Sequence, residues 1–466
     1  MKTESLLSRY FSLIDEPEKF QKSIEQPLPV CVWANPLKTT PDELAAFLQE
    51  EAIAVQPLNW YSGAFRSSTW QKPGQTLGFV TGWYQVQEEI ALTAVTALNP
   101  QLGERILDLC AAPGGKTAQI AVRVGETGMV VANEMYASRL ASLRTTLDRL
   151  GIQNTIVTNA DGCTIALLPH SFDRVLVDVP CSGEGTIRKS QGAGKQWRPS
   201  YNNRLKIIQR QLLEQALSFV KPGGVIVYST CTFAPEENEA VIDAVLGDRG
   251  YLESAAIPQL YGLSGLQSWQ GQSFRSDLVN AQRYFPHFNN TGGFFVARIR
   301  RTDVNLSPPI SETSISSYSP INNPEPLAEF CDRFGINSTQ FNQQQLLTSG
   351  NRTIWCATKS CSLSLPSLET IGLPLLRQTK GGIKPTTFGL QRFGRNATQN
   401  VIELKTPKAM QSFMSGEAQK LNIDVERGYI HVRYGGFELG CGFYKEGQLF
   451  SKIPKVLRCL SGTSKL

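Results

Sequence analysis

Two short stretches carry the residue types that do covalent chemistry. DVPC sets Asp178 three residues before Cys181, and STCT brings a second cysteine, Cys231, fifty residues later. A cysteine thiolate is a nucleophile, and an acid beside it can hold or move a proton. A lone cysteine is ordinarily a small buried apolar residue. Two of them at the ends of neighbouring strands, one beside an acid, point instead to nucleophilic chemistry.

A third stretch, DLCAAPGGKT over residues 108–117, is built to bind rather than to react. Its Gly114-Gly115 turn feeds a helix, so a ligand can approach backbone N–H groups. Gly115-Lys116-Thr117 mimics the end of a phosphate-binding P-loop. That motif needs glycine at position 110, which is Cys110 here. The dinucleotide pattern GxGxxG is absent as well. What remains is a nucleoside-type ligand without phosphate. Glu134, 26 residues past Asp108, can accept from both ribose hydroxyls, and Asp161 from an adenine amine. Either acid alone could be a turn residue or a helix cap. Asp108, Glu134 and Asp161 after three successive strands favour the ligand.

The elements that must position these groups alternate. Residues 105–109, 129–133, 155–159, 174–177 and 225–229 are apolar strand candidates. Helical patterns fill 116–124, 137–150 (ended by Gly151) and 205–220, the last broken by Lys221-Pro222-Gly223-Gly224. Such alternation predicts an α/β fold, a doubly wound Rossmann-like parallel sheet, whose ligands sit at the carboxyl ends of the strands.

The flanks differ from this centre. Residues 1–100 are expected to be a mainly helical module, with a capping box at Thr40-Pro41-Asp42-Glu43. The helical reading includes SLLSRYFSLI and WYQVQEEIALTAVTAL. Trp60, Tyr61, Phe65, Trp70, Trp83 and Tyr84 cluster there; aromatics can stack on unpaired bases, although core packing is the commoner fate. The α/β domain is expected over 101–301, a Ser/Pro-rich linker over 302–326, and a small, mostly β domain over 327–466. From residue 301 onward 19 Lys and Arg face 12 Asp and Glu, whereas 27 face 28 before it. A basic tail suits a polyanion, and Arg377, Lys380, Lys384, Arg392 and Arg395 follow one another with no acid between them. Among 466 residues the ten cysteines form no CxxC pair, so reduced thiols are expected and no metal site. With no apolar run of 18 residues and no signal-peptide core at the start, the expected setting is the cytoplasm, without a membrane.

DLCAAPGGKT, DVPCSGEGTIRK and STCTFAPEENEAVI, together with WANPLK, RYFPH and GGFFVA, resemble the S-adenosylmethionine-dependent RNA cytosine-5 methyltransferases of the Sun and nucleolar-protein group. The likeness spans about residues 30–300. The tail, with GYIHVRYGGFELGCG, is similar to that of the bacterial small-subunit ribosomal RNA methyltransferase F type. Two departures stand out: Val179 replaces the family's usual alanine, and Glu89 and Ile90 replace small residues.

The resemblance implies a cofactor, S-adenosyl-L-methionine, held by Cys110, Ala111, Ala112, Pro113, Gly114, Gly115, Lys116, Glu134, Asp161 and Asp178. It assigns the attack on cytosine carbon 6 to Cys231, the contact with ring nitrogen 3 to Asp178, and product release to Cys181. Arg188 and Lys189 could hold phosphates. The implied partner is ribosomal RNA, or alternatively transfer RNA, bound by a monomer that takes the target base out of its stack. A non-catalytic RNA-binding assembly factor is the competing class, since it could dispense with Cys231. Both cysteines and the acids are present, which favours the enzyme.

Overall fold

The computed structural model describes residues 7–190, 199–302, 318–350, 352–361 and 367–458. Five parallel strands form its centre: β1 (Arg105–Asp108), β2 (Met129–Asn133), β3 (Thr155–Thr158), β4 (Phe172–Asp178) and β5 (Val220–Thr230). Their spatial order is β3-β2-β1-β4-β5, so the winding reverses between β1 and β4. Ligands bind at such a switch point. Every residue of β2 is buried, as expected of a strand covered on both faces. Two antiparallel strands, β6 (Gln282–Tyr284) and β7 (Phe294–Arg301), extend the sheet beyond β5, with Phe295 opposite Thr230.

Five helices pack on this sheet: α1 (Leu92–Leu98), α2 (Gly115–Val124), α3 (Ala137–Leu150), α4 (Pro199–Phe219) and α5 (Glu239–Leu246). Gly151 closes α3 in the left-handed region at φ 77°, its N–H bonded to the carbonyls of Asp148 and Leu147. That is the C-cap its sequence predicts. The predicted capping box at Thr40 is also present, with Glu43 N–H on the Thr40 hydroxyl and the Glu43 carboxylate on Thr40 N–H.

Helices hold more of the N-terminal module than strands do, yet its frame is a four-stranded antiparallel sheet. The order is Gln56–Pro57, Ala64–Ser67, Val30–Ala34, Tyr84–Val86. WYQVQEEIALTAVTAL therefore divides, contrary to the helical reading. Tyr84–Val86 pairs with Val32–Ala34, and the helix begins only at Leu92. Cross-strand pairing overrides a local apolar pattern that fits either period. WANPLK ties this module to α3: the Asn35 amide donates to Gly82 and Leu150 carbonyls, and Lys38 Nζ to those of Thr81 and Arg149.

Residues 303–317 of the expected linker lie outside the described residues. Its end is structured: Ser319–Pro320 pairs with Gln344–Thr348, and a helix starts at Glu325. Two five-stranded sheets follow, and one further strand leaves them. Leu368–Ile371 pairs antiparallel with β3, Leu368 opposite Thr158, and so forms the outer edge of the central sheet. The N- and C-terminal modules also share a core, where Phe437 meets Trp83 and Phe47 at ring-centroid distances of 4.2 and 5.1 Å.

Candidate active site

β4 and β5 run side by side with Asp178 opposite Ser229, so the residues following each strand enter one crevice. The Ser229 hydroxyl donates to Asp178 Oδ1 at 2.7 Å, and Lys116 Nζ to Oδ2 at 2.7 Å. Lys116 comes from the first turn of α2, so the carboxylate is clamped from two elements. Burial alone would lower the lysine's pKa; Asp178 beside it more than offsets that and holds the ammonium above its usual value.

The two cysteines meet as the sequence predicts. Cys181 and Cys231 stand Sγ to Sγ at 3.2 Å, both half-buried. The hydrogen bond with Cys231, then burial, push the Cys181 thiol well up. Cys181 therefore keeps its proton and can donate it to Cys231. Cys110 is a different case: burial, then the charges of Asp108, Asp178 and Glu134, push its pKa up, so it stays a neutral thiol.

Beneath the pair lies a polar network with no counterpart among the expected residues. Ser182 Oγ contacts Glu237 Oε1 at 2.5 Å, Glu184 Oε2 at 2.8 Å and Thr232 Oγ1 at 2.8 Å. Thr232 donates to Glu184, as does the Tyr10 hydroxyl at 2.9 Å. Gln209 Nε2 bonds both Glu237 and the Pro180 carbonyl at 2.9 Å. The segment after β4 is thus pinned to the segment after β5. Their backbones also touch: Gly185 N–H donates to the Cys231 carbonyl at 2.9 Å, and a Cβ at Gly185 would come within 2.3 Å of Gly293 O. Glu184 and Glu237 sit inside CSGEGT and APEENE; two acids flanking the cysteines were the available signal.

The loop after β1 is held by the groups expected to bind a ligand. Ala111 N–H donates to the Asn133 carbonyl at 2.8 Å, and Gly114 takes φ +99°, where a side chain is strained and a Cβ would press on Leu143. Glu134 is 2 % exposed and accepts from Tyr136 N–H at 2.9 Å and Ala112 N–H at 3.3 Å, with Arg139 alongside at 3.3 Å. A carboxylate has about four acceptor sites, so acceptor capacity remains. Asp161 accepts from Cys163 N–H at 2.9 Å in its own turn and is not bonded to the other acids. Pro113 and Gly115 complete the loop, Gly115 lying against Gln87.

Asp108 accepts from the Thr117 hydroxyl through Oδ2 at 2.7 Å, while its buried Oδ1 has no partner. Burial, opposed by that hydrogen bond and assisted by Asp178, pushes its pKa up to about 7. A carboxyl raised on folding stabilises fully below its unfolded value of 3.8, and that contribution is lost as pH rises through about 7. Asp108→Asn should therefore gain stability relative to the parent as pH goes from 5 to 8, by about 2.5 kcal/mol. Urea midpoints at the two pH values check it; a pH-independent difference would count against the buried proton.

Two expected RNA contacts, Arg188 and Arg392, are not free. Arg188 is buried, donating to the carbonyls of Gln26, Pro27 and Thr291 and to Asn290 Oδ1; only Lys189 is exposed. Arg392 packs across Gly151 toward Glu126 and braces the modules against each other, whereas Arg395 reaches Glu43 at 3.2 Å and stays exposed. Each long side chain found a partner on a module distant in sequence, which a local basic pattern cannot reveal. Arg377, Lys380 and Lys384 remain on one hairpin, the first two exposed and Lys384 half-buried. Glu89, the departure in the N-terminal module, accepts from Arg66 and from Trp60 Nε1.

Residues 95–300 match the family described as 16S rRNA methyltransferase RsmB/F, and residues 399–459 match the methyltransferase RsmF PUA domain. The ribosomal RNA small subunit methyltransferase F of Vibrio vulnificus (strain YJ016) is 30% identical over 451 residues, 93% of this chain and 92% of that protein. The chain belongs to the RsmB/F methyltransferase family. The 28S rRNA (cytosine-C(5))-methyltransferase of Mus musculus is 34% identical over 320 residues, 67% of this chain but 40% of its own length. Among solved structures, a methyltransferase homolog from Pyrococcus horikoshii superposes with a TM-score of 0.54 at 31% identity, covering 62% of this chain and 91% of that one. As a member of the RsmB/F family, the chain is an S-adenosylmethionine-dependent RNA cytosine-5 methyltransferase. Among the described residues no cluster could hold a metal ion, and no helix is long and apolar enough to cross a membrane.

Proposed function

We propose that this enzyme methylates carbon 5 of a cytosine in small-subunit ribosomal RNA, with Cys231 as a covalent nucleophile. The observation that carries the reading is the Cys181–Cys231 pair at 3.2 Å beside the clamped Asp178. Small-subunit RNA is favoured because the relative named for it aligns over 92% of its length.

S-adenosylmethionine supplies an electrophilic methyl on a sulfonium. The residues fit it: Asp108 with its unpartnered buried Oδ1, Glu134 and Asp161 are acceptors for a cationic ligand with hydroxyls and an amine. Residues 110–116 and Asp178 would complete its hold. Carbon 5 of cytosine is a poor nucleophile until the ring is made electron-rich. Addition of the Cys231 thiolate to carbon 6, with protonation of ring nitrogen 3, gives an enamine. Asp178, held by Lys116 at 2.7 Å, takes the proton that the Cys231 thiol gives up and passes it to nitrogen 3. After carbon 5 has taken the methyl, a water acting as base takes its proton, the carbon 6–sulfur bond breaks with its electron pair going to Cys231, and nitrogen 3 returns its proton to Asp178. Cys181 hydrogen-bonds the departing Cys231 sulfur.

RNA carrying 5-fluorocytidine separates this from direct methylation, since fluorine cannot leave as the proton does. The enzyme with S-adenosylmethionine should then yield an RNA–protein adduct stable on a denaturing gel. An enzyme that methylates normal RNA yet forms no adduct would remove the covalent step.

A further inference from the structure

A cavity of about 310 Å³ opens between the N-terminal sheet and the outer side of α1 and α2. Trp33, Trp60, Tyr61, Thr39, Gln119 and Arg123 contribute to its wall. None of its lining residues belongs to the loop of residues 108–115 or to the segments that carry the two cysteines.

Its wall is fixed before any ligand arrives. The Trp33 indole N–H donates to Gln87 Oε1 at 3.1 Å, Gln87 Nε2 to Gln119 Oε1 at 3.0 Å, and Gln119 Nε2 to the Tyr61 hydroxyl at 2.7 Å. Trp60 meets Tyr61 edge to face at 5.8 Å and is tied by its own N–H to Glu89 at 3.2 Å. The Arg123 guanidinium lies over the Tyr61 ring, 5.2 Å from its centroid, anchored by one nitrogen to the Val95 carbonyl. The wall thus offers aromatic surface with a cation beside it.

Its location limits the occupant. Arg123 lies seven residues along α2 from Lys116, about 10 Å at 1.5 Å per residue. Enzymes that work on a base act on single-stranded substrate or flip the base out of a duplex, and in the first case the neighbouring bases are unpaired as well. Aromatic faces with an arginine at the edge hold single-stranded bases by stacking and cation–π attraction. We propose that this cavity receives an unpaired base of the RNA substrate, a neighbour of the target cytosine on the same strand. The base stacks on Tyr61 and Trp60, and Arg123 meets its ribose-phosphate. The inference rests on RNA as substrate, and holds whichever RNA is modified and whether or not Cys231 bonds to the base.

Ultraviolet cross-linking of the full-length enzyme to an unmodified small-subunit ribosomal RNA transcript, followed by nuclease digestion and peptide mass spectrometry, tests it. A nucleotide adduct is expected at Trp60 or Tyr61. Adducts elsewhere on the protein with none at these two overturn the proposal. Adducts nowhere overturn it together with RNA binding, which tells the two failures apart. In parallel, Tyr61→Leu and Arg123→Gln should each raise the Kd for the same transcript about 5-fold or more, the equivalent of losing one stacked base. Affinity for S-adenosylhomocysteine should stay within about 2-fold. An unchanged RNA Kd in both variants overturns the site; should a variant fail to fold, the cross-link on the parent protein decides.

Discussion

Cys231→Ala is expected to reduce methyl transfer by roughly 10⁴-fold or more while S-adenosylmethionine still binds, and Cys181→Ala to stop the same reaction one stage later. The two side chains are 3.2 Å apart, yet their environments differ. The contact with Cys231, then burial, push the Cys181 thiol up, which fits the proposed role of donor rather than attacking group. Removing it leaves the nucleophile in place but takes away the hydrogen bond that eases the sulfur's departure. An RNA–protein species should therefore build up with unmodified RNA on a denaturing gel in Cys181→Ala. None should form with Cys231→Ala. Radiolabelled methyl transfer measured beside the gel completes the comparison. Full activity in Cys231→Ala would move the nucleophile elsewhere, and normal turnover without a trapped species in Cys181→Ala would cancel the release role.

The largest effect on stability is expected away from the reacting atoms. Arg283 of RYFPH is 2 % exposed and Glu239 of PEENE is 0 % exposed, and they form a two-pronged ion pair. Arg283 Nη1 also donates to the Phe233 carbonyl at 2.9 Å. The pair joins β6 to the start of α5 and brackets the segment that carries Cys231. Breaking a buried pair strands a charge, so Arg283→Met should lose about 3–5 kcal/mol in urea unfolding. Arg283→Met with Glu239→Gln should recover part of that loss, because the uncompensated carboxylate is gone. A single variant within about 1 kcal/mol of the parent would mean that water or another cation reaches Glu239.

The motifs pointed to the proposed reacting groups because strand-end chemistry is local. An apolar run, an acid and a turn placed Asp178, Cys181 and Cys231 in one crevice, and Gly151 announced the end of α3. What supports those groups was less legible. Glu184 and Glu237 flank the cysteines in sequence, but their bridging by the Ser182 hydroxyl exists only once two strands lie side by side. The N-terminal sheet escaped for a related reason: Tyr84–Val86 is three residues long and becomes a strand by pairing with Val32–Ala34. Arg188 and Arg392 looked like phosphate ligands because charge is visible in sequence, whereas the carbonyls and the acid they meet are contributed from far along the chain.

The strand Leu368–Ile371 has a consequence for how the protein is made. It closes the edge at Thr155–Thr158, roughly 200 residues upstream. Synthesis at about 5–20 residues per second leaves that edge uncovered for roughly 10–40 s after β3 emerges. During that interval the nascent catalytic sheet presents an unpaired backbone edge, the kind that recruits other strands. Folding of the central sheet is therefore finished by the last third of the chain. A fragment cut at the linker would keep the reacting residues and lose the piece that protects the sheet from its neighbours.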